Sequence, residues 1–269
     1  MNSNFLLFGQ ERSGSTSLIS SLNSNCGVVH EPLSSLSGDI KDNSKFIEIV
    51  NEFDIHPNRL EESDIIPYFN KYNYISTDQN KLGKFFDRLY EEFYGLKHIW
   101  CTVPDEGNEN VIKYCDDRKI PIIFLYRENS FDAAVSWQLG NQTGVWQLGD
   151  SFENRKKLKG FNYKPLIEQQ IKRRVLWYER SLKKYLKLCK KPYVVSYEQI
   201  YEATTTERKK LMLELLHVLD SRSNHLNISN YYNFLFPTES RKINNRNVYK
   251  SIPNYEEMKC KYGEYKIKL

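Results

Sequence analysis

The sequence predicts an α/β fold in which helices flank a central, mainly parallel sheet. Two observations lead to this prediction: short apolar runs bounded by turn residues recur along the chain, and helical patterns lie between them. Parallel strands need long crossover connections, and helices are the usual ones. Because 269 residues can bury a substantial core, we predict a single domain over 1–269.

Each element is predicted from its own pattern. Buried strands are expected where apolar residues form short runs, at Phe5–Phe8, Lys97–Val103, Ile120–Tyr126 and Tyr193–Ser196. Helices are expected at Gly107–Asp117, Phe131–Leu139, Pro165–Lys190 and Glu207–Leu219. In the longest helix we expect buried side chains at Ile167, Ile171, Val175, Leu176 and Leu182.

The segment 32–94 differs from the rest because it is polar and rich in Asn, with only weak helical patches. We interpret it as an insertion at the edge of the sheet, where lids and acceptor pockets are often built. Several aromatic residues in it and near it either stack on a sugar or belong to the core: Tyr68, Phe69, Tyr72, Tyr74, Phe85, Phe86, Trp100 and Trp146.

The composition argues against several classes of protein. Five scattered cysteines without a Cys-x-x-Cys pair or a nearby His cluster indicate neither a metal site nor a disulfide framework. The net charge of +5, with acidic residues mixed among the basic ones, favours a localised anionic ligand over a nucleic acid. No apolar run approaches the roughly 20 residues that span a bilayer, and the first strand leaves no room for a signal peptide. We predict a cytoplasmic protein, and the sequence leaves a homodimer open.

The first candidate site follows the first strand. Gly9 and Gly14 are separated by four residues, as in the phosphate loop of nucleoside triphosphatases, but Ser15 stands where that loop requires Lys. Arg12 supplies a planar cation inside the loop instead. Hydroxyl donors surround it at Ser13, Ser15, Thr16 and Ser17. The alternative is an ordinary helix N-cap with a solvated Arg12.

A second candidate site repeats this design after a later strand. Arg127 ends the apolar run, and Ser136 follows nine positions later on the predicted helix. Both residues are expected at the carboxyl edge of the sheet, where ligands of open α/β sheets bind. The alternative is an Arg127 that pairs with Glu128 or Asp132 and a Ser136 that is only a small packing residue.

These two segments, GQERSGSTSLISSL and FLYRENSFDAAVSW, resemble the 5'-phosphosulfate loop and the 3'-phosphate motif of sulfotransferases that use 3'-phosphoadenosine 5'-phosphosulfate (PAPS). The segments YGLKHIW, IKRRVLWYERSLKKY, YVVSYEQIY and RKINNRNVYKSIPNYEEM are similar to further features of that family, in the same order. RSGST followed by a Gly-x-x-x-Glu-Pro segment looks most like the bacterial carbohydrate branch, which includes trehalose sulfotransferase.

The resemblance implies a three-layer fold like that of phosphate-loop proteins, PAPS as sulfuryl donor, and a hydroxyl acceptor, such as a carbohydrate. It further implies that Arg12, Ser13, Gly14, Ser15 and Thr16 hold the 5'-phosphosulfate. Arg127 and Ser136 would then hold the 3'-phosphate. Arg241 and Lys242, in a tail over 237–269, are similar to a basic pair that closes over that phosphate in some relatives.

Sulfuryl transfer also needs a base for the proton of the acceptor hydroxyl. The candidates are Glu31, His30 and His98. Glu31 matches the Glu that the carbohydrate branch uses as base, and His98 lies roughly where cytosolic steroid and phenol sulfotransferases place a catalytic His. We favour Glu31. The alternatives are a surface carboxylate before Pro32 and a core histidine.

Two other functions stay open. A kinase with a degenerate phosphate loop would need carboxylates for Mg²⁺ and a Lys in the loop, and Ser15 argues against it. A non-catalytic nucleotide-binding protein would keep the fold without turnover, and only an assay separates it from an enzyme.

Overall fold

The computed structural model describes residues 4–16, 18–19, 27–33, 44–53, 75–145, 156–219 and 246–269. In these ranges five strands form one sheet with the order β2-β3-β1-β4-β5, and every neighbouring pair is parallel. The strands are β1 (Phe5–Gly9), β2 (Val28–His30), β3 (Gly95–Ile99), β4 (Ile122–Tyr126) and β5 (Pro192–Ser196). The prediction of an α/β fold with a parallel sheet flanked by helices is confirmed.

Helices connect and cover these strands. A helix starts at residue 15, directly after the loop that follows β1. The further helices with described bounds are α1 (Ser44–Glu52), α2 (Gln79–Glu92), α3 (Asp105–Arg118), α4 (Ser130–Thr143), α5 (Glu168–Leu188), α6 (Tyr197–Tyr201), α7 (Thr205–Leu219), α8 (Arg246–Lys250) and α9 (Tyr255–Tyr262).

The sheet is buried on both faces, and β1 shows why its sequence is apolar throughout. Leu6 and Phe8 belong to a large core that includes residues of α1 to α5. Leu7 belongs to a second core on the other face, where it is clustered with Leu18 and with residues of α6 and α7. Successive side chains of a strand point to opposite faces of the sheet, so the side chains on both faces of β1 must be hydrophobic.

Most predicted elements occur with shifted ends, and three details of the prediction were wrong. The second predicted run, Lys97–Val103, overlaps β3, but the strand ends at Ile99, and Trp100 and Val103 are buried in the turn that follows. Ile167 and Leu176 are exposed, at 54% and 43%: Ile167 is the N-cap residue before α5, and Leu176 lies away from the buried stripe of the helix. The strand β2 was not predicted.

The segment 32–94 is described only in part. Its described residues include α1 and α2, which pack in the large core, and Phe85 and Phe86 of α2 are fully buried. Tyr68, Phe69, Tyr72 and Tyr74 lie outside the described residues, as does Trp146. Of the aromatic residues that were considered for a sugar site, Phe85, Phe86 and Trp100 are therefore core residues.

The order of the strands brings the two predicted loops together. β1 and β4 are neighbours at the centre of the sheet, so the loop after Gly9 and the turn after Tyr126 leave the same edge. The backbone N–H of Gln10 continues the ladder by donating to Leu125 O at 2.8 Å. The residues of both predicted motifs therefore meet at this edge of the sheet.

Candidate functional site

The loop after β1 has a backbone shape that its sequence requires. Arg12 and Gly14 both adopt left-handed conformations, with φ of 63° and 77°. A side chain at Gly14 would place its Cβ 2.5 Å from the ring of Tyr201, so only glycine fits. Tyr201 donates its hydroxyl to Gly14 O at 2.9 Å, which fixes the loop against α6.

Two buried polar residues support this loop from inside. Ser13 Oγ donates to Gln10 O at 2.6 Å, and both side chains are inaccessible to solvent. The Gln10 side chain accepts from the backbone N–H of Arg127 at 3.2 Å, which ties the first loop to the turn after β4. The hydroxyl proton of Ser13 is thus used within the protein, although Ser13 was predicted to hold a ligand.

Arg12 joins the two candidate motifs. Its Nε donates to Ser136 Oγ of α4 at 2.8 Å, across 124 positions of sequence. Burial lowers the pKa of Arg12 to about 10, and the nearby charge of Arg127 acts in the same direction. Two guanidinium groups held close together in a buried place favour a bound anion, because an anion stabilises both charges.

Arg127 already has partners in the protein. Its Nη2 is 3.3 Å from Asp132 Oδ2, and its guanidinium lies over the Tyr197 ring at 4.6 Å from the centroid. Its Nε is buried and has no hydrogen-bond partner among the described residues. Burial disfavours the charged form, but the surrounding tyrosine and carboxylate groups raise the pKa of Arg127 on balance. The alternative of an ion pair with Asp132 is therefore present, while an unused donor remains.

A carboxylate also binds the turn that follows β4. Glu198 of α6 accepts the backbone N–H groups of Glu128 and Asn129 at 2.9 and 3.1 Å. Glu128 itself accepts from Ser196 Oγ at 2.7 Å, and among the described residues the ion pair of Arg127 is with Asp132. The sequence alone would allow these two backbone N–H groups to bind a ligand. In the structure they bind a side chain of the protein.

The C-terminal segment lies against the same turn. Ile267 N donates to Glu128 O at 2.9 Å, and Ser130 Oγ donates to Tyr265 O at 3.0 Å. Tyr249 of α8 is close enough to Arg12 and Arg127 to influence the pKa of both guanidinium groups. Arg241 and Lys242, which were predicted to close over a phosphate, lie outside the described residues, as does the side chain of Ser17.

Glu11 precedes Arg12 but is turned to a different set of partners. It pairs with Arg174 of α5 and accepts from Tyr178 Oη at 3.0 Å. Arg174 in turn stacks on Trp137, with its guanidinium carbon 3.8 Å from the ring centroid. The negative charge of Glu11 is thus neutralised beside the loop and does not oppose an anion there.

Glu31, the favoured base, follows the edge strand β2. It has a left-handed backbone with φ of 53°, and its side chain is 25% exposed. Two bonds connect it to Lys97 of β3: Glu31 N donates to Lys97 O, and Lys97 Nζ donates to Glu31 Oε1, both at 2.7 Å. Glu31 is thus a partly exposed carboxylate that is held by a buried lysine.

Lys97 is a site residue that the sequence reasoning missed. Its side chain is only 3% exposed, and Nζ donates to Thr16 Oγ1 at 3.0 Å in addition to Glu31. Thr16 lies at the start of the helix after the first loop, so Lys97 links the loop to the predicted base. A partial signal was present, because Lys97 begins a run that was predicted to be a buried strand, and a buried Lys needs partners.

His98 points away from this cluster, because successive residues of a strand face opposite sides of the sheet. It is 1% exposed, its ring is 5.2 Å from that of Phe8, and Nε2 is 2.7 Å from Asn108 Oδ1. Burial lowers its pKa to about 4. These contacts match the alternative of a core histidine. His30 is the last residue of β2, directly before Glu31.

The structure thus brings five of the predicted residues, together with Lys97, into two sets. Arg12, Ser136 and Arg127 lie between the two motifs, and Thr16, Lys97 and Glu31 lie on the opposite side of the first loop. His98 belongs to neither set. Ser15 is buried at the helix start, with 6% of its surface exposed.

Other features of the described part set limits. No group of three or more His, Cys, Asp or Glu residues there could hold a metal ion, and none of the described helices is long and apolar enough to cross a membrane. Four cysteines in the described ranges are free thiols: Cys101, Cys115, Cys189 and Cys260.

No protein-family model matches this chain, and no curated protein shows a significant match.

Proposed function

We propose that the protein is a sulfotransferase that moves a sulfuryl group from PAPS to a hydroxyl acceptor, with a carbohydrate as the acceptor class. The observation that carries this proposal is the 2.8 Å bond from Arg12 to Ser136, with Arg127 close enough to perturb Arg12. It supports one continuous site at the carboxyl edge of the sheet for a ligand with two anionic groups.

In the proposed reaction the acceptor oxygen attacks sulfur while the bond from sulfur to the 5'-phosphate oxygen breaks. Glu31 takes the proton of the hydroxyl, and the leaving group departs with the electron pair as 3'-phosphoadenosine 5'-phosphate (PAP). Arg12 stabilises the charge that grows on the leaving phosphate, and Arg127 holds the 3'-phosphate away from the reacting centre. PAPS is the only cofactor in this proposal, and no metal takes part in it.

An open cavity of about 380 Å³ on α4 is a candidate acceptor region. Trp137, next to Ser136 on α4, lines it together with Phe161 and Gln170. Aromatic rings that stack on sugars and amides that bond to hydroxyls are the side chains expected in a carbohydrate site. A cytoplasmic location and a homodimer stay predictions from the sequence.

The test is a comparison of three nucleotides by calorimetry: PAP, AMP and adenosine 3'-phosphate. We expect PAP to bind about 10- to 100-fold more tightly than AMP, since each charge-assisted contact to the extra phosphate contributes roughly 1.5–3 kcal/mol. Arg127→Ala should remove this preference. Arg118→Ala is the matched control, because Arg118 also pairs with an aspartate, Asp87 at 2.8 Å, but on the surface of α3.

Equal affinity of the wild-type protein for PAP and AMP would contradict the assignment of a 3'-phosphate site. A collapse of the melting temperature in Arg127→Ala, with unchanged nucleotide preference in the folded fraction, would make Arg127 a structural ion-pair residue. Transfer of a radiolabelled sulfuryl group from PAPS to a panel of mono- and oligosaccharides tests the reaction itself.

A second candidate is a non-catalytic anion-binding protein. Two internal contacts favour it: Asp132 already pairs with Arg127, and Glu198 already accepts the backbone N–H groups of the turn after β4. A functional 3'-phosphate site must displace or share these internal carboxylates. Tight PAP binding without sulfuryl transfer to any acceptor would support this second candidate.

A further inference from the structure

The first loop has Arg12 as a cation of its own, but it lacks the Lys that phosphate loops carry next to the second glycine. Ser15 occupies the position of that Lys, and its side chain is short, neutral and buried. The structure places an ammonium group at the same loop from a different strand. Lys97 Nζ reaches it from β3 and donates to Thr16 Oγ1 at 3.0 Å.

The position of Lys97 is unusual enough to need a reason. An ammonium group with 3% of its side chain exposed loses most of its hydration, and a buried charge is tolerated only with good partners. Glu31 and Thr16 take two of its three N–H donors in the described part of the chain. The third donor is left for an oxygen of a ligand.

We propose that Lys97 is a second cation of the first loop beside Arg12, supplied by the neighbouring strand, and that it binds the terminal tetrahedral anion of the donor. The inference rests on the proposed function for the identity of that donor. Lys97 and Arg12 then contact the 5' end of the nucleotide from opposite sides of the loop, and Arg127 contacts only the 3' end. An anion such as inorganic sulfate should bind at the same place.

Glu31 gives Lys97 a second role in the transfer step. Before the reaction, Glu31 and Lys97 form an ion pair at 2.7 Å, in which the carboxylate neutralises part of the positive charge of Lys97. When Glu31 takes the proton from the acceptor hydroxyl, this pair loses its negative partner. The charge of Lys97 becomes available to the leaving phosphate while negative charge is growing there. Proton uptake and leaving-group stabilisation are coupled through one side chain.

The experiment measures nucleotide affinity in position-97 variants. Lys97→Met keeps the length of the side chain and removes its charge, and we expect PAP affinity to fall about 10- to 100-fold. Affinity for adenosine 3'-phosphate, which lacks the 5' group, should change less than 3-fold. Lys97→Arg should recover part of the lost PAP affinity. A buried ion pair with a purely structural role predicts none of this ligand specificity.

The matched control is Lys184→Met. Lys184 also bridges two acceptors, Asp105 at 2.7 Å and Glu109 at 2.9 Å, but on the exposed face of α5. It should leave both affinities unchanged. If Lys97→Met does not fold because Glu31 is left unpaired, the double variant Lys97→Met/Glu31→Gln removes both charges and is measured instead.

Unchanged PAP affinity in a folded position-97 variant would overturn the inference. If wild-type protein does not bind PAP at all, the proposed function fails, and the inference is decided by inorganic sulfate. Sulfate should then raise the melting temperature of the wild type and not that of Lys97→Met. An equal rise in both proteins would overturn the assignment of Lys97 independently of the nucleotide.

Discussion

The turns that follow β1 and β4 leave the same edge of the sheet, and each has an arginine, yet their charges are balanced differently. After β1, Arg12 donates to a neutral hydroxyl on Ser136, and the pKa of its guanidinium is lowered by burial. After β4, Arg127 is 3.3 Å from Asp132, and Glu198 binds the amides of the turn.

The difference separates two ways in which a protein treats a buried cation. A cation whose partners are neutral gains more from a bound anion than one whose charge is already balanced by a carboxylate. In the proposed reaction, Arg12 of the first turn is accordingly the cation assigned to the negative charge that grows on the leaving group. In the same proposal, Arg127 of the second turn holds the 3'-phosphate, whose charge does not change during the transfer.

The largest expected effect tests the chemistry at the first turn. Glu31→Gln should lower sulfuryl transfer by roughly 10²- to 10⁴-fold, the usual contribution of a positioned base, because an amide cannot take the proton. PAP affinity should stay within a few-fold of wild type, since Gln keeps the shape and an acceptor for Lys97. Transfer rates at saturating PAPS, together with calorimetry, measure the two quantities separately.

His98→Asn is the control for this comparison, because His98 lies next to Lys97 in sequence but on the opposite face of β3. If His98→Asn abolishes transfer and Glu31→Gln does not, the base assignment is wrong. If neither variant matters with any carbohydrate tried, the non-catalytic alternative gains support.

The sequence predicted four strands of the fold because each is an apolar run between turn residues. It did not predict β2, since Val28–His30 is too short for a period to be recognised. It placed the end of β3 too late, because Trp100 and Val103 continue the apolar run although they belong to a turn. Burial and strand pairing are different properties, and hydrophobicity reports only the first.

The candidate site was predictable to a similar degree. The sequence pointed to the edge of the sheet and to both motifs, because the residue types of a loop fix its local chemistry. It could not show that Arg12 contacts Ser136 or that Glu198 reaches the amides after β4, since these contacts join residues 124 and about 70 positions apart. Lys97 was missed because its role depends on two residues from other elements.

A smaller effect concerns stability and uses the other face of β3. His98 is neutral in the folded protein, with its pKa lowered by burial to about 4 against 6.5 in an unfolded chain. Below pH 6.5 the unfolded state therefore binds a proton that the folded state does not, so stability falls as pH falls from 6.5 toward 4. Between pH 7 and pH 5 this amounts to on the order of 1–2 kcal/mol.

The measurement is urea unfolding at several pH values for the wild type and for His98→Asn. The variant is expected to be less stable at pH 7, because it leaves a cavity beside Phe8, but to lose less stability on acidification. Parallel pH profiles for the two proteins would show that His98 is accessible to protons in the folded state. In that case His98 would again be a candidate for the base that accepts the proton of the acceptor hydroxyl.

The smallest expected effect tests the charge balance after β4 directly. Asp132→Asn keeps the size of the side chain and removes the carboxylate 3.3 Å from Arg127. If the 3'-phosphate must compete with Asp132, PAP affinity should rise by about 2- to 5-fold, a few tenths to one kcal/mol. Affinity for AMP, which has no 3'-phosphate, should not change. Calorimetry on both nucleotides gives the comparison.

The sign of this effect distinguishes three roles for Asp132. A rise in PAP affinity means that the carboxylate screens Arg127 in the free protein. A fall means that it orients the guanidinium toward the phosphate, since a buried side chain without its partner adopts other rotamers and loses pre-organisation. No change for PAP, with a slightly lower melting temperature from the lost acidic residue in the first turn of α4, would place the 3'-phosphate away from Arg127. The anion site would then lie at the first turn alone, and the assignment of the 3'-phosphate to the second turn would be wrong.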